Sequence, residues 1–305
     1  MTMRVFVAGA TGVLGSAAVR RLVAGRHEVT GIARGAAKQR ALTAAGARAV
    51  AADIFDPAAV RSAVEGHDVV CNLATHIPTG SAALRSASWR ENDRIRTEGS
   101  AVLAKAAADC GALRFVQEGI SFVYADAGDA WITESGRLAP TPLTRSALTA
   151  SDNAMSFGNE YRFAVVLRFG VLYGDDANTR WLLDRVRRGK GVLAGDPAGY
   201  VSPITVDDAA AAVVAALAAP SGIYNVAGTP VLREEFARAL GTAAGGSSSA
   251  RFLSPLATRL VGKKVEPLAR SQRISSDAFH AATGWRARTA LAEGFASAVK
   301  ASALK

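Results

Sequence analysis

Cysteine is scarce: the 305 residues contain two thiols, Cys71 and Cys110. That leaves no disulfide framework and suits a reducing, cytoplasmic setting better than a secreted one. Long apolar runs are missing as well. The most hydrophobic stretch, residues 209–219, is too short to span a bilayer and follows Asp207-Asp208, so it reads as a buried helix, and no membrane partner is expected. Runs of a single charge are missing too, although the formal net charge is +10. The basic residues are dispersed apart from brief clusters at 185–190 and 263–264, and aromatics follow neither, so no nucleic-acid partner is expected. Solvated faces and an anionic cofactor account for the surplus more simply, and the charge is also compatible with an acidic substrate.

What is present begins at the N-terminus. Residues 3–8 read as a short buried strand that runs into Gly9-Ala10-Thr11-Gly12-Val13-Leu14-Gly15, after which residues 14–23 continue at helical spacing. Strand, glycine turn and helix start, in that order, form a cradle for a pyrophosphate. Glycines let the backbone approach closely, while free N–H groups and the helix dipole favour negative charge. The alternative is a glycine turn that only packs the helix tightly on the strand. Further short apolar segments at 27–33, 47–51, 67–73, 113–118 and 163–169 alternate with helical stretches. This pattern predicts an α/β protein: a Rossmann-type, doubly wound parallel sheet covered on both faces, with a smaller C-terminal substrate lobe. Residues 1–170 are assigned to the dinucleotide-binding part, with a strand and helix near 200–226 returning to it. Residues 171–305 fall mainly in the lobe, with 241–249 as a polar surface loop.

The spacing G-x-x-G-x-x-G resembles the first loop of the extended short-chain dehydrogenase/reductase family, which includes nucleotide-sugar epimerases and dehydratases. Weaker similarities follow at Tyr173-Gly174-Asp175, Val206-Asp207-Asp208-Ala209, residues 222–226 and Thr283-Gly284-Trp285. The resemblance implies that Gly9, Thr11, Gly12, Val13, Leu14 and Gly15 hold the cofactor pyrophosphate. It places Asp53 and Ile54 at the adenine, and Leu73, Ala74, Thr75 and Phe169 along the rest of the cofactor. Asp53 is alternatively a helix cap, a role that Asp56 before Pro57 fills better. After the second strand comes Arg34 rather than an acid, with Lys38 and Arg40 close behind. A guanidinium there suits a ribose phosphate, so the expected cofactor is NADP, with NAD possible and a surface arginine as the alternative. The expected partner is a small-molecule substrate. A homodimer through the helices flanking the sheet is left open, and no metal is expected.

The chemistry the resemblance leads one to expect is incomplete. Family members carry a Ser or Thr after the fifth strand and a Tyr-x-x-x-Lys pair on the next helix, in which tyrosine moves the proton and lysine lowers its pKa. Aligning Val123-Tyr124 with the family's valine-tyrosine puts Ile120 where the hydroxyl belongs, with Ser121 one residue late. No tyrosine lies between Tyr124 and Tyr161, and no lysine between Lys105 and Lys190. The helix near 144–157 therefore offers Arg145 and Ser146 instead. Candidate catalytic groups are Glu118, Ser121, His76 and Ser146, with Arg96 or Arg145 as a positive charge. Glu118 stands out as a carboxyl at a strand end. Each has a plainer alternative: a salt-bridged carboxylate, hydroxyls at a strand end or helix cap, and a solvated loop histidine. The implied activity is an NADP-dependent oxidoreductase acting on a small carbonyl or alcohol, with epimerase or dehydratase chemistry as a variant. A redox-inactive NADP-binding regulator is the alternative.

Overall fold

A computed structural model describes residues 2–246, 249–254, 262 and 265–303. The expected basic pair Lys263-Lys264 and part of the expected 241–249 loop lie outside the described residues. Strand β1 (Arg4–Ala8) leads through the glycine turn to α1 (Val13–Ala24), followed by β2 (Glu28–Ile32), α2 (Ala36–Ala44), β3 (Arg48–Val50), α3 (Pro57–Val64) and β4 (Val69–Asn72). Two short 3₁₀ turns, Gly80–Leu84 and Ser86–Trp89, precede a long helix made of α4 (Arg90–Arg94), a π-helical segment (Ile95–Gly99) and α5 (Ser100–Asp109). Then come β5 (Arg114–Ile120), β6 (Trp131–Ile132), α6 (Arg145–Met155), β7 (Phe163–Phe169), β8 (Val171–Tyr173) and α7 (Ala177–Arg187). The chain closes with β9 (Tyr200–Val201), β10 (Pro203–Thr205), α8 (Val206–Ala215), β11 (Gly222–Val226), β12 (Val231–Leu232), α9 (Arg233–Ala243), β13 (Arg273–Ile274), α10 (Asp277–Thr283) and α11 (Leu291–Ala303).

Seven of the strands form one parallel sheet in the order β11-β7-β5-β4-β1-β2-β3. Its strands are apolar almost throughout because both faces are covered. Successive side chains point to opposite faces, so Val5, Val7, Val116 and Leu167 pack with Val19, Leu22, Ala209 and Val213 of α1 and α8. Phe6, Val70, Phe115 and Val166 pack with Val60 and Leu103 of α3 and α5 on the other face. The strand order reverses at β1, which lies between β2 and β4, and this switch opens a crevice over the carboxyl ends of β1 and β4.

The C-terminal segment returns to this core. Phe279 and Trp285 join the cluster on the α1/α8 face. Asp208 secures that return. Its carboxylate accepts the N–H groups of Arg288 (3.1 Å) and Thr289 (3.0 Å), and its carbonyl accepts Trp285 Nε1 (3.2 Å). Asp208→Ala would remove the acceptor of the half-buried Arg288 and Thr289 N–H groups and leave the Trp285 bond to the main-chain carbonyl in place, so a loss of about 2 kcal/mol in urea unfolding is expected. A loss below about 0.5 kcal/mol, the surface range, would show that the contact carries nothing.

Two boundaries differ from the sequence reading. Strand β5 runs on to Ile120 because Gly119 and Ile120 keep pairing with Arg168 and Phe169 of β7. Glu118 thus lies within the strand rather than at its end. Helix α9 extends to Ala243, so the loop expected from residue 241 begins later.

Candidate cofactor and substrate site

The cradle is built by close backbone contact. Gly9 has φ +78°, and a Cβ there would lie 2.5 Å from the Leu73 carbonyl oxygen, so the β1 turn abuts the β4 turn at the switch point. A Cβ on Gly15 would sit 2.0 Å from the Gly9 oxygen. Gly12 is the N-cap of α1, extended at φ −77° and ψ 179°, and contributes no side chain to the helix end. The first N–H groups of α1, on Val13, Leu14 and Gly15, are therefore uncapped, and the first turn carries no acid to compete for them. Leu14 is buried and anchors the turn, while Thr11 is half-buried and Val13 exposed.

At the far end of the crevice Arg34 is exposed just beyond β2, before Gly35, with Lys38 and Arg40 exposed on α2. Asp56 caps α3, accepting from Ala58 (2.9 Å) and Ala59 (3.2 Å). Asp53 is exposed, and its Oδ1 accepts the Phe55 N–H at 3.1 Å. Ile54 packs against Gly99, and the Arg94 guanidinium covers the Phe55 ring at 3.8 Å.

Over β4 the turn is held from below. Asn72 Oδ1 accepts the Ala74 N–H (3.3 Å), and Asn72 Nδ2 donates to Gln117 Oε1 (2.9 Å). Leu73 is buried, Ala74 half-buried, Thr75 and His76 exposed. The His76 N–H donates to Asn92 Oδ1 at 3.1 Å. The Phe169 side chain is fully buried in the core, so only its backbone is left for the role along the cofactor that the resemblance implies. On the lobe side, α7 closes on the segment after β4: a Cβ on Gly80 would lie 2.8 Å from Trp181 Nε1.

The four candidate acid–base groups are held by different partners, three of them on the helix that begins at Arg90. Glu118 is 5% exposed, and its two carboxylate oxygens accept from Arg96 Nη2 at 2.7 and 2.9 Å. Both oxygens are engaged by Arg96, the salt-bridged alternative to a free carboxyl at a strand end. Ser121 Oγ donates to Gln272 Oε1 (3.3 Å) and Ser146 Oγ to Asp93 Oδ1 (2.7 Å), so both hydroxyls are spent on structure. Ring and backbone of His76 lie in an exposed turn. Tyr124 is fully buried. Its hydroxyl accepts from Arg168 Nη1 (2.8 Å) and donates to Asn225 Oδ1 (2.9 Å). Burial pushes its phenol pKa up, against the nearby Arg168 charge. Burial likewise pushes the Cys71 thiol up to about 12, so it is inert.

Comparison with known proteins decides the family. Residues 5–227 match the model of the NAD dependent epimerase/dehydratase family. A 3-diazoavenalumate denitrifying reductase from a Streptomyces species is 35% identical over 227 residues, 70% of this chain and 72% of that protein. The chain belongs to the NAD-dependent epimerase/dehydratase family. A 2-alkyl-3-oxoalkanoate reductase from Shewanella oneidensis is 30% identical over 229 residues, a match spanning 70% of this chain and 56% of that protein. Among solved structures, UDP-glucose 4-epimerase of Thermotoga maritima with UDP-glucose superposes with a TM-score of 0.81 at 19% identity, over 99% of this chain and 100% of that one.

Membership makes this chain an enzyme of the NAD(P)-linked oxidoreductase and epimerase type. The residues present fit such a dinucleotide: glycine backbones admit the pyrophosphate, and the uncapped N–H groups of α1 face it. The family's Tyr-x-x-x-Lys pair has no counterpart on α6, whose sequence RSALTASDNAM holds neither residue. Among the described residues no cluster of His, Cys, Asp or Glu could hold a metal ion, and no helix is long and apolar enough to cross a membrane.

Sequence reasoning passed over Asn92 and Asp93, which tie α4 to the β4 turn and to α6. A signal was present. Asn92, Arg96 and Ser100 recur every four residues on the buried face that continues through Leu103 and Ala107. Polar residues on such a stripe mark interior hydrogen bonding.

Proposed function

We propose that the chain is an NADP-linked reductase of a small carbonyl compound. The observation that carries the cofactor choice is Arg34, exposed at the end of β2 where no acid competes for the ribose, with Lys38 and Arg40 on the following helix. The names of two relatives, both reductases, and the oxoalkanoate in one of them support the reductive direction and the substrate class. Bound NADPH would supply hydride.

The chain's own residues do the rest. Val13, Leu14 and Gly15 hold the pyrophosphate through backbone N–H groups, and Asp53 and Ile54 border the adenine. Leu73, Ala74 and Thr75 form the turn along the cofactor, fixed by Asn72 and Gln117. The hydroxyls of Ser121, Ser146 and Tyr124 already donate elsewhere, and Arg96 engages both Glu118 oxygens. Proton transfer serves the reaction equally in both directions, so without the pair the proton must come from solvent in reduction and go to it in oxidation. The reductive direction rests on the names of the two relatives.

Titration calorimetry with NADPH and NADH tests the cofactor choice. The parent chain is expected to bind NADPH more tightly. Arg34→Ala should weaken NADPH by about tenfold or more and NADH little, since a charge-assisted contact is worth roughly 1.5–3 kcal/mol. Tighter NADH binding by the parent would overturn the NADP reading.

A further inference from the structure

We infer that Asn92 and Arg96 form a subsite for the carbonyl oxygen of the substrate; this rests on the reductase reading and deepens it. The two side chains stand four residues apart on the helix behind the β4 turn, and they are 0% and 2% exposed. Each has one polar atom buried without a partner, Nδ2 of Asn92 and Nε of Arg96. Both atoms are donors only, so what completes them is an acceptor and not a cation. Buried donors in native proteins are almost always paired, and two on neighbouring positions of one helix point to a common acceptor.

The rest of each side chain is already committed. Asn92 Oδ1 holds the His76 N–H at 3.1 Å, and Arg96 Nη2 holds both oxygens of Glu118. Glu118 neutralises Arg96, so the subsite carries no net charge. Burying a full carboxylate there would leave an uncompensated negative charge, whereas a carbonyl oxygen adds none. The same donors strengthen as charge develops on that oxygen during reduction, which supplies electrophilic assistance where the usual tyrosine is missing. Asn92 holds the His76 N–H, and His76 and its neighbours Thr75 and Ile77 are exposed. The π-helical turn begins at Ile95, between the two residues, a local distortion that recurs at functional sites.

The test uses nitrogen-15 NMR of the full chain, with 3-oxohexanoate, 2-hexanone and hexanoate as probes, first without cofactor and then with NADPH. The Asn92 Nδ2 and Arg96 Nε signals are expected to move saturably with both oxo compounds and to stay still with hexanoate. Asn92→Asp keeps an acceptor for the His76 N–H, and Arg96→Lys keeps a charge against Glu118. Each should weaken 3-oxohexanoate binding roughly tenfold or more with an unchanged circular dichroism spectrum. Equal movement with hexanoate would overturn the carbonyl assignment. Signals that ignore all three probes, or that show a resident water as the shared acceptor, would overturn the subsite. Failure of NADPH to bind would sink the reductase reading but leave the probe-induced shifts as a separate result.

Discussion

Gly12→Asp is expected to abolish dinucleotide binding, with a loss beyond a hundredfold, while leaving α1 as stable as before or slightly more so. Gly12 is the N-cap of α1, in an extended conformation open to any residue. The nearest atom to an added Cβ is the Gly9 oxygen at 3.2 Å, a tight contact that a small local shift relieves. An aspartate at that position is among the best N-caps, better than glycine by a few tenths of a kcal/mol. Its carboxylate would accept the same first-turn N–H groups that the pyrophosphate needs, and would repel the phosphates as well. Calorimetry should show no binding heat alongside an unchanged or raised melting temperature. Parental affinity in this variant would remove the cradle from the cofactor site.

Removing one partner of the Arg96–Glu118 pair is expected to have the largest effect on stability. Both side chains are almost wholly buried, at 2% and 6% exposed. Glu118→Ala leaves a guanidinium charged in the interior, and such a change costs about 3–5 kcal/mol. Replacing the pair together, Arg96→Met with Glu118→Leu, should recover most of that loss because no charge is left behind. Urea unfolding of the single and double variants measures both. A single variant within 1 kcal/mol of the parent would mean that water reaches Arg96 and that the pair is not isolated. The double variant also separates folding from function: it should fold, yet lose the Arg96 donor proposed for the substrate oxygen.

Much of this was legible in the sequence wherever the physics is local. Strand, glycine turn and helix start occupy consecutive residues, so Gly9 to Gly15 could be read directly. Asp56 before Pro57 announced its own cap. The missing tyrosine and lysine needed only counting. Glu118 was misplaced because the end of β5 is set by pairing with β7, some fifty residues away, and no local signal reports it. The sequence offered Arg96 or Arg145 as the positive charge and a salt bridge as the plainer reading of Glu118, and only the fold shows that Arg96 is the one that reaches the carboxylate. Phe169 carries the same lesson, since strand position alone does not tell that its side chain faces the core. Ser146 and Ser121 look like free hydroxyls until Asp93 and Gln272 arrive from elsewhere in the chain.

The central claim, an NADP-linked reductase working without the Tyr-x-x-x-Lys pair, is tested most directly with NADPH deuterated at the transferable C4 position. The purified chain is incubated with that cofactor and a panel of small ketones, aldehydes and oxo acids, and products are read by mass spectrometry. Expected is deuterium on the former carbonyl carbon of at least one product, formed by the parent chain and lost in Gly12→Asp. NADPH that binds but stays unoxidised across the whole panel would contradict the claim.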